Sequence, residues 1–366
     1  MSDTILVSTR KGLFTIARAG GAWKIAAADF LGDNVTLAIA DKRDGAIYAA
    51  LDHGHFGVKM HRRDGSAWKE IPAPAYPPKP EDLEENDMWG RPIQWSTNRI
   101  WALTTGGPDQ PGVIWCGTLP GGLFRSDDRG VSWQMCESLW RHPKRVQWMG
   151  GGADLPGIHS ICVDPRNSDH VCIGVSTGGL WFTGDGGATW SQRGEGMRAD
   201  HVPPELTHDP IAQDVHCLVQ CAADPRRMWV QHHNGIFISS DEGRNFTEIR
   251  DVPPSVFGFP VAVHPREPDT AWFVPEIKDE RRIPVGGKLA VTRTRDGGKS
   301  FEVLTKGLPQ EHAYDVVYRH ALDIDATGSR LVMGSTTGGL WISEDQGDSW
   351  VEITHTLPPV YAARFG

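Results

Sequence analysis

One eight-residue phrase constrains this chain more than any other feature. It occurs as SDDRGVSW at 126–133, TGDGGATW at 183–190, SSDEGRNF at 239–246, TRDGGKSF at 294–301 and SEDQGDSW at 343–350. The shared form is Ser/Thr, any, Asp, any, Gly, any, any, aromatic. Its Asp falls at Asp128, Asp185, Asp241, Asp296 and Asp345, so successive copies lie 57, 56, 55 and 49 residues apart. A near-constant period of this size marks a repeat architecture, in which one small unit is stacked many times. Two weaker copies lie upstream, RRDGSAW at 62–68 and LFTIARAGGAW at 13–23. The aromatic anchors Trp23, Trp68, Trp133, Trp190, Phe246, Phe301 and Trp350 then count seven repeats.

Within a strong repeat the grammar is constant. HSICVDP at 159–165 is a short apolar run ending in a turn. VCIGVSTGG at 171–179 and LWFTGD at 180–185 alternate, and TWSQRG at 189–194 closes the unit. These read as four short strands, and strands this short need neighbours to be stable. A radial stack of four-stranded blades supplies them. The phrase itself closes the hairpin between the third and fourth strands. Its fifth-position Gly provides a positive φ, its Asp accepts from turn N–H groups, and its aromatic packs between blades. That regular duty makes the five Asp residues structural rather than catalytic.

The two ends of the sequence fit together. ILVSTRKG at 5–12 starts on a second-strand phrase with no first strand before it, and PPVYAARFG at 358–366 is a lone strand after the last repeat. The expected fold is all-β, a seven-bladed β-propeller forming one domain over 1–366. The C-terminal strand should pair with 5–10 and so remove a sheet edge.

The phrase is the Asp-box, or BNR repeat, and through it nearly the whole chain resembles the sialidase-like β-propellers. That group includes sialidases, xyloglucanases, sortilin-type receptors and photosystem assembly factors. GHFG at 54–57, GGLFRSDDRG at 121–130 and FGFPVAVHP at 257–265 are similar to bacterial proteins labelled exo-alpha-sialidase-like or glycosyl-hydrolase-like. A repeat fixes fold far better than function. The resemblance implies an active site on the face opposite the Asp-boxes, where strand four leads to the next blade and strand two to strand three. The segments 74–97, 134–158, 195–215 and 275–287 fall on that face, and loops this long are uncommon unless functional.

Most of the 15 histidines fall on the same face. His159, His216 and His320 stand at or near the starts of first strands, and His55 and His233 beside turn glycines or strand starts. These positions give His159, His216, Glu276 and His320 as candidate catalytic residues. Arg10, Arg99, Arg319 and Trp95 are candidates for holding substrate. His55, His159, His216 and His233 are a candidate ligand set for a transition ion such as zinc, although no HExxH or other ligand spacing is present. The resemblance implies that sialidase chemistry needs an arginine cluster, a Tyr helped by Glu and an Asp acid/base. The family's Arg-Ile-Pro motif lies ahead of its Asp-boxes, whereas RRIP at 281–284 follows three of them and reads as chance. Tyr314 and Tyr318 near Arg319 keep a Tyr–Arg arrangement open. Other glycosidase chemistry needs two carboxylates, for which Asp154, Glu205, Asp214, Glu276, Asp279 and Glu280 are available.

Composition removes other classes. A net charge of −9 without a basic run argues against nucleic acid as partner. No apolar run approaches the length of a membrane span. The start MSDTILVSTRKG lacks the pattern of a secretory signal, and six cysteines without a CxxC pair suggest reduced, mostly buried thiols. The expected setting is cytoplasmic. Three functions compete. One is a hydrolase or lyase acting on a small polar substrate, sugar-like or carboxylate-bearing. The second is a non-catalytic scaffold for a protein partner. The third is a metal-dependent enzyme without glycoside chemistry.

Overall fold

Seven antiparallel sheets follow one another along the chain, each with a four-stranded path. The structure, a computed structural model, describes residues 2–87, 89–151 and 153–366. The innermost strands are Val360–Phe365, Asn34–Ala40, Arg99–Thr105, Gly157–Val163, Val215–Gln220, Gly258–Val263 and Leu322–Ile324, for blades one to seven in turn. Each touches the next, and the last touches the first, so they enclose a central channel. The fold is a seven-bladed β-propeller, as the repeat predicts. Blade six carries one addition, a strand Arg281–Pro284 paired to its long second strand Ala271–Lys278.

The ring closes through blade one. Ile5, Leu6 and Val7 pair with Phe365, Arg364 and Ala363. The closing strand is also fastened to blade seven, where Ala363 N–H donates to the His320 carbonyl at 3.0 Å and Phe365 N–H to the Asp323 carboxylate at 2.9 Å. An otherwise exposed sheet edge is thereby paired on one side and covered on the other.

The five Asp turns share one hydrogen-bond pattern. At Asp185, Oδ1 accepts from the Thr183 hydroxyl at 2.7 Å and from Thr189 N–H at 2.8 Å, and Oδ2 accepts from the Thr189 hydroxyl at 2.6 Å. Ser126, Asp128 and Ser132 repeat it, as do Ser343, Asp345 and Ser349. Gly187 sits at φ 98°, which a side chain would strain. The aromatic closes the unit: Trp190 joins the core between blades three and four, and Trp350 the core joining blades six, seven and one. The abundance of Trp has a further use, because Trp115, Trp181, Trp229, Trp272 and Trp341 are almost wholly buried in second or third strands. Each such ring contributes roughly 1.5–3 kcal/mol through burial, and Trp229 and Trp272 also donate to the Pro268 and Gln346 carbonyls of neighbouring segments.

The long connection between blades two and three folds onto the one that follows it. Arg145 is only 5% exposed; it pairs with Glu85 and lies 3.8 Å over the Trp140 ring. Trp95 donates to the same Glu85 at 3.1 Å and meets Trp140 edge-on. Trp95, a candidate for stacking on substrate, is therefore committed to holding these loops together. The six cysteines are free thiols, four of them buried.

Candidate functional site

First strands begin on the face opposite the Asp turns, so the residues that start them crowd the channel mouth. In blade five this places Asp214 just before the strand and His216 just inside it. The turn between the second and third strands brings His233 alongside, clipped by a 3.0 Å bond from His233 N–H to the Asp214 carbonyl. Asp214 Oδ2 lies 3.5 Å from His233 Nδ1 and 3.9 Å from His216 Nε2. The His216 ring stacks on Phe259 of blade six at 4.8 Å, and its Nδ1 lies 2.7 Å from the Gly258 carbonyl. A carbonyl only accepts, so Nδ1 carries the hydrogen and Nε2 a lone pair.

Burial by itself would raise the Asp214 carboxyl, but the His233 contact and the adjacent imidazoles outweigh it and hold the group well below the usual range. The same contact raises His233 against the cost of burial. Burial pushes His216 the other way, down to about 4, with Asp214 opposing. At neutral pH the cluster is thus an anionic carboxylate between a readily protonated and a neutral imidazole.

Two cavities open here. One, of about 610 Å³, is lined by Thr177, His201, Asp214, His216, His233 and Asp279 among others. The second, of about 300 Å³, is lined by Asn34, Thr36, Arg99, Trp101, Tyr318, His320 and Tyr361. Phe259, Arg282 and Arg319 line both, so the two meet. Arg319 donates from Nε to the His216 carbonyl at 2.6 Å and lies 4.4 Å over Trp101. Burial lowers it to about 10, which leaves it cationic at neutral pH. Arg282, in the RRIP segment that reads as chance from its position, is carried over the mouth by the blade-six hairpin and lies 5.3 Å from the Phe259 ring.

The other sequence candidates have these places. His159 and His320 are buried and line the channel cavity, His320 also the smaller mouth cavity, and His320 Nε2 donates to the His159 carbonyl. Glu276 is 1% exposed, neither carboxylate oxygen has a hydrogen-bond partner, and burial pushes it up to about 8 against the pull of Arg282. Arg99 rims the smaller cavity, 3.5 Å from Asp52. Arg10 is exposed on a blade-one turn; with Arg99 it opposes the upward push of burial on the Tyr361 phenol. His55 lies exposed on a one-turn helix, its ring tilted against that of Phe56. Of the four proposed imidazole ligands the structure brings together His216 and His233. The third ligand-type group near them is Asp214, while His55 and His159 stand outside the set. Asp214 belongs to the carboxylates that sequence places on this face, but only its spacing from His216 across a strand start, DVH at 214–216, marks it out. Phe259 and Trp101 carry no such signal.

No family model matches the chain. In an alignment 286 positions long that covers 71% of this chain, it is 30% identical to a probable oligoxyloglucan-reducing end-specific xyloglucanase of Neosartorya fischeri. The chain spans 33% of that relative. Among solved structures it is similar to an ancestral GH74 enzyme (TM-score 0.58, 16% identity, 84% of this chain and 36% of that one). It is also similar to a putative 6-phosphogluconolactonase from Bacteroides fragilis (TM-score 0.57, 12% identity, 99% and 97%). A third is YCF48 from Cyanidioschyzon merolae (TM-score 0.55, 13% identity, 94% and 94%). These structural likenesses are likenesses of fold. The site has to be read from its own residues.

Proposed function

We propose that this chain is a sialidase-like propeller enzyme, a hydrolase or lyase acting at the channel mouth on a small, sugar-like, carboxylate-bearing substrate. One observation carries the reading: Arg99, Arg282 and Arg319 line a single cavity together with Tyr318 and Tyr361, and Arg282 and Arg319 also line the cavity of Asp214 and His233. Guanidinium groups match a carboxylate in planar, bidentate geometry. Phenols and a carboxylate–imidazole pair beside them are groups that attack a glycosidic carbon or move a proton at its oxygen. In this reading the arginines hold and orient the substrate acid, Asp214 and His233 handle the proton, and Trp101 and Phe259 form apolar walls. The Asp-box resemblance and the similarity to a probable xyloglucanase support glycoside chemistry in general. The position of RRIP, after three Asp-boxes, separates the chain from sialidases proper.

The test is a panel of chromogenic glycosides, uronides and sialosides. Turnover of an acidic member is expected, with Arg282→Ala raising KM about tenfold or more and Asp214→Asn reducing kcat at least about 100-fold. Neutral glycosides turned over as well as acidic ones, or no turnover and no binding of any sugar acid, would overturn the reading. The second of these results would favour a scaffold for a protein partner.

A further inference from the structure

We propose that Asp214, His216 and His233 bind one divalent first-row transition ion of the zinc class, with its remaining position open to the mouth cavity. The inference gives Asp214 and His233 an ion to hold in place of the proton-handling role assigned to them above, and its support is independent of any substrate.

The first support is distance. The three ligand atoms all lie within 4.8 Å of one another, and the two contacts of Asp214 Oδ2 are 3.5 and 3.9 Å. Around an ion with nitrogen and oxygen ligands at about 2.0–2.2 Å, neighbouring tetrahedral ligands stand roughly 3.4 Å apart. The cluster is already within about half an ångström of that spacing along two edges.

The second is the direction of a lone pair. With Nδ1 of His216 donating to Gly258, Nε2 directs its lone pair toward the side where Asp214 lies. Two electron-rich atoms facing each other in a buried place repel, and a cation between them turns the repulsion into coordination. The ring is not free to avoid the encounter, because it is stacked on Phe259. An imidazole whose second nitrogen is fixed by a backbone carbonyl is the usual arrangement behind a metal-ligating histidine.

The third is a shortage around Asp214. Its side chain is 8% exposed, yet the one hydrogen bond that its carboxylate accepts, from the Ser176 hydroxyl, is 3.4 Å long. Glu276 also lacks partners, but burial favours its neutral form, whereas the other buried carboxylates held low, Asp41 and Asp164, are well served. Asp41 receives Arg43 at 2.7 and 2.8 Å, and Asp164 receives Arg166 at 2.8 Å. Asp164, with His170 and Glu242, forms another cluster of ligand-type groups, but Arg166 already supplies its cation. Asp214 has no comparable short partner.

The donor set selects the ion. Two imidazoles and one carboxylate suit zinc and its first-row neighbours, whereas calcium and magnesium prefer oxygen throughout. Three protein ligands with one side facing a cavity is the form of a catalytic rather than a structural site.

The experiment uses the full chain, stripped with a chelator and titrated with zinc chloride alone by calorimetry, with cobalt absorption spectra to report the coordination number. One equivalent is expected, together with a higher melting temperature on zinc addition. Asp214→Asn and His233→Gln should each weaken zinc by more than about 100-fold. His55→Ala should bind as the parent does. His233 is partly exposed, so its variant should keep the parent fold, which its melting curve checks. A folded parent that takes up no zinc, or variants that bind it equally well, would overturn the proposal. If the stripped protein turns over an acidic glycoside at full rate and takes up no zinc, the ion is wrong and the enzyme reading stands. If zinc binds at these residues and no sugar acid is bound or turned over, the reverse holds.

Discussion

His320 donates its Nε2 hydrogen to the backbone carbonyl of His159, 2.7 Å away and 161 residues earlier in the chain. The two residues belong to blades seven and four, which are not neighbours in the ring, so the bond crosses the channel. Arg319 makes a second crossing, to the His216 carbonyl of blade five and the Trp101 face of blade three. The segment before the first strand of blade seven therefore stoppers the channel beneath the mouth cavities. Its histidine is spent on an inter-blade tie.

That tie has an acid cost. Burial, helped by Arg364, pushes His320 down to about 3, and burial pushes His216 down to about 4 despite Asp214. In the unfolded chain both protonate near 6.5. As pH falls below about 6.5 the unfolded state takes up more protons than the folded one, so stability drops through the window down to about 4. Calorimetric melting between pH 7 and 4.5 should show this fall, and His320→Gln should shallow it. A flat profile in the parent would show these rings charged when folded.

Glu276 works in the opposite direction. Burial pushes it up to about 8, so the folded protein keeps a proton that the unfolded chain releases near 4.5. The stabilisation is complete below about 4.5 and is lost as pH rises through about 8. Glu276→Gln, neutral at every pH, should melt near the parent at pH 4.5 and above it at pH 9. Equal melting at both pH values would contradict a protonated Glu276.

The Asp turns should report on stability alone. In Asp241→Ala the Ser239 hydroxyl, Asn245 N–H and Asn245 side-chain amide lose their acceptor. A loss of about 1–3 kcal/mol is expected in denaturant unfolding. Ligand binding at the mouth should be unchanged, because the turn lies on the other face.

The loop clamp is testable by proteolysis. Glu85→Ala leaves Arg145 buried without its partner and takes the acceptor from Trp95. Breaking a buried pair this way costs about 3–5 kcal/mol, and the 72–98 connection should become a cleavage site before the blades unfold. Resistance equal to the parent's would show that the Trp95–Trp140 contact holds the loop unaided.

The blades were legible in the sequence because the same turn chemistry recurs at five of the seven third-to-fourth strand hairpins. The ring closure was legible because one unit lacks a first strand and another strand is left over. The face of the site followed from the strand order. Which histidines meet was not legible. His216 is aimed by Gly258 and Phe259 of the next blade, while His159, of the same type and at a similar strand position, is turned toward Ser160. Those directions belong to neighbours roughly 40 residues or more away in the chain, or to the local rotamer, and leave no spacing to read. Trp95 and Arg282 sit in segments outside the repeat, where position alone could not reveal that one is packed inward and the other hangs over the mouth.

The pairing of Ile5 with Phe365 also sets a timetable. During synthesis the strand Thr4–Thr9 emerges with one flank lacking its mate until six further blades have been made. A nascent chain must keep that flank from other partners until Val360–Phe365 has been made. Chaperone dependence is then expected to be greatest just before the closing strand is made, when a nearly complete ring still has a gap.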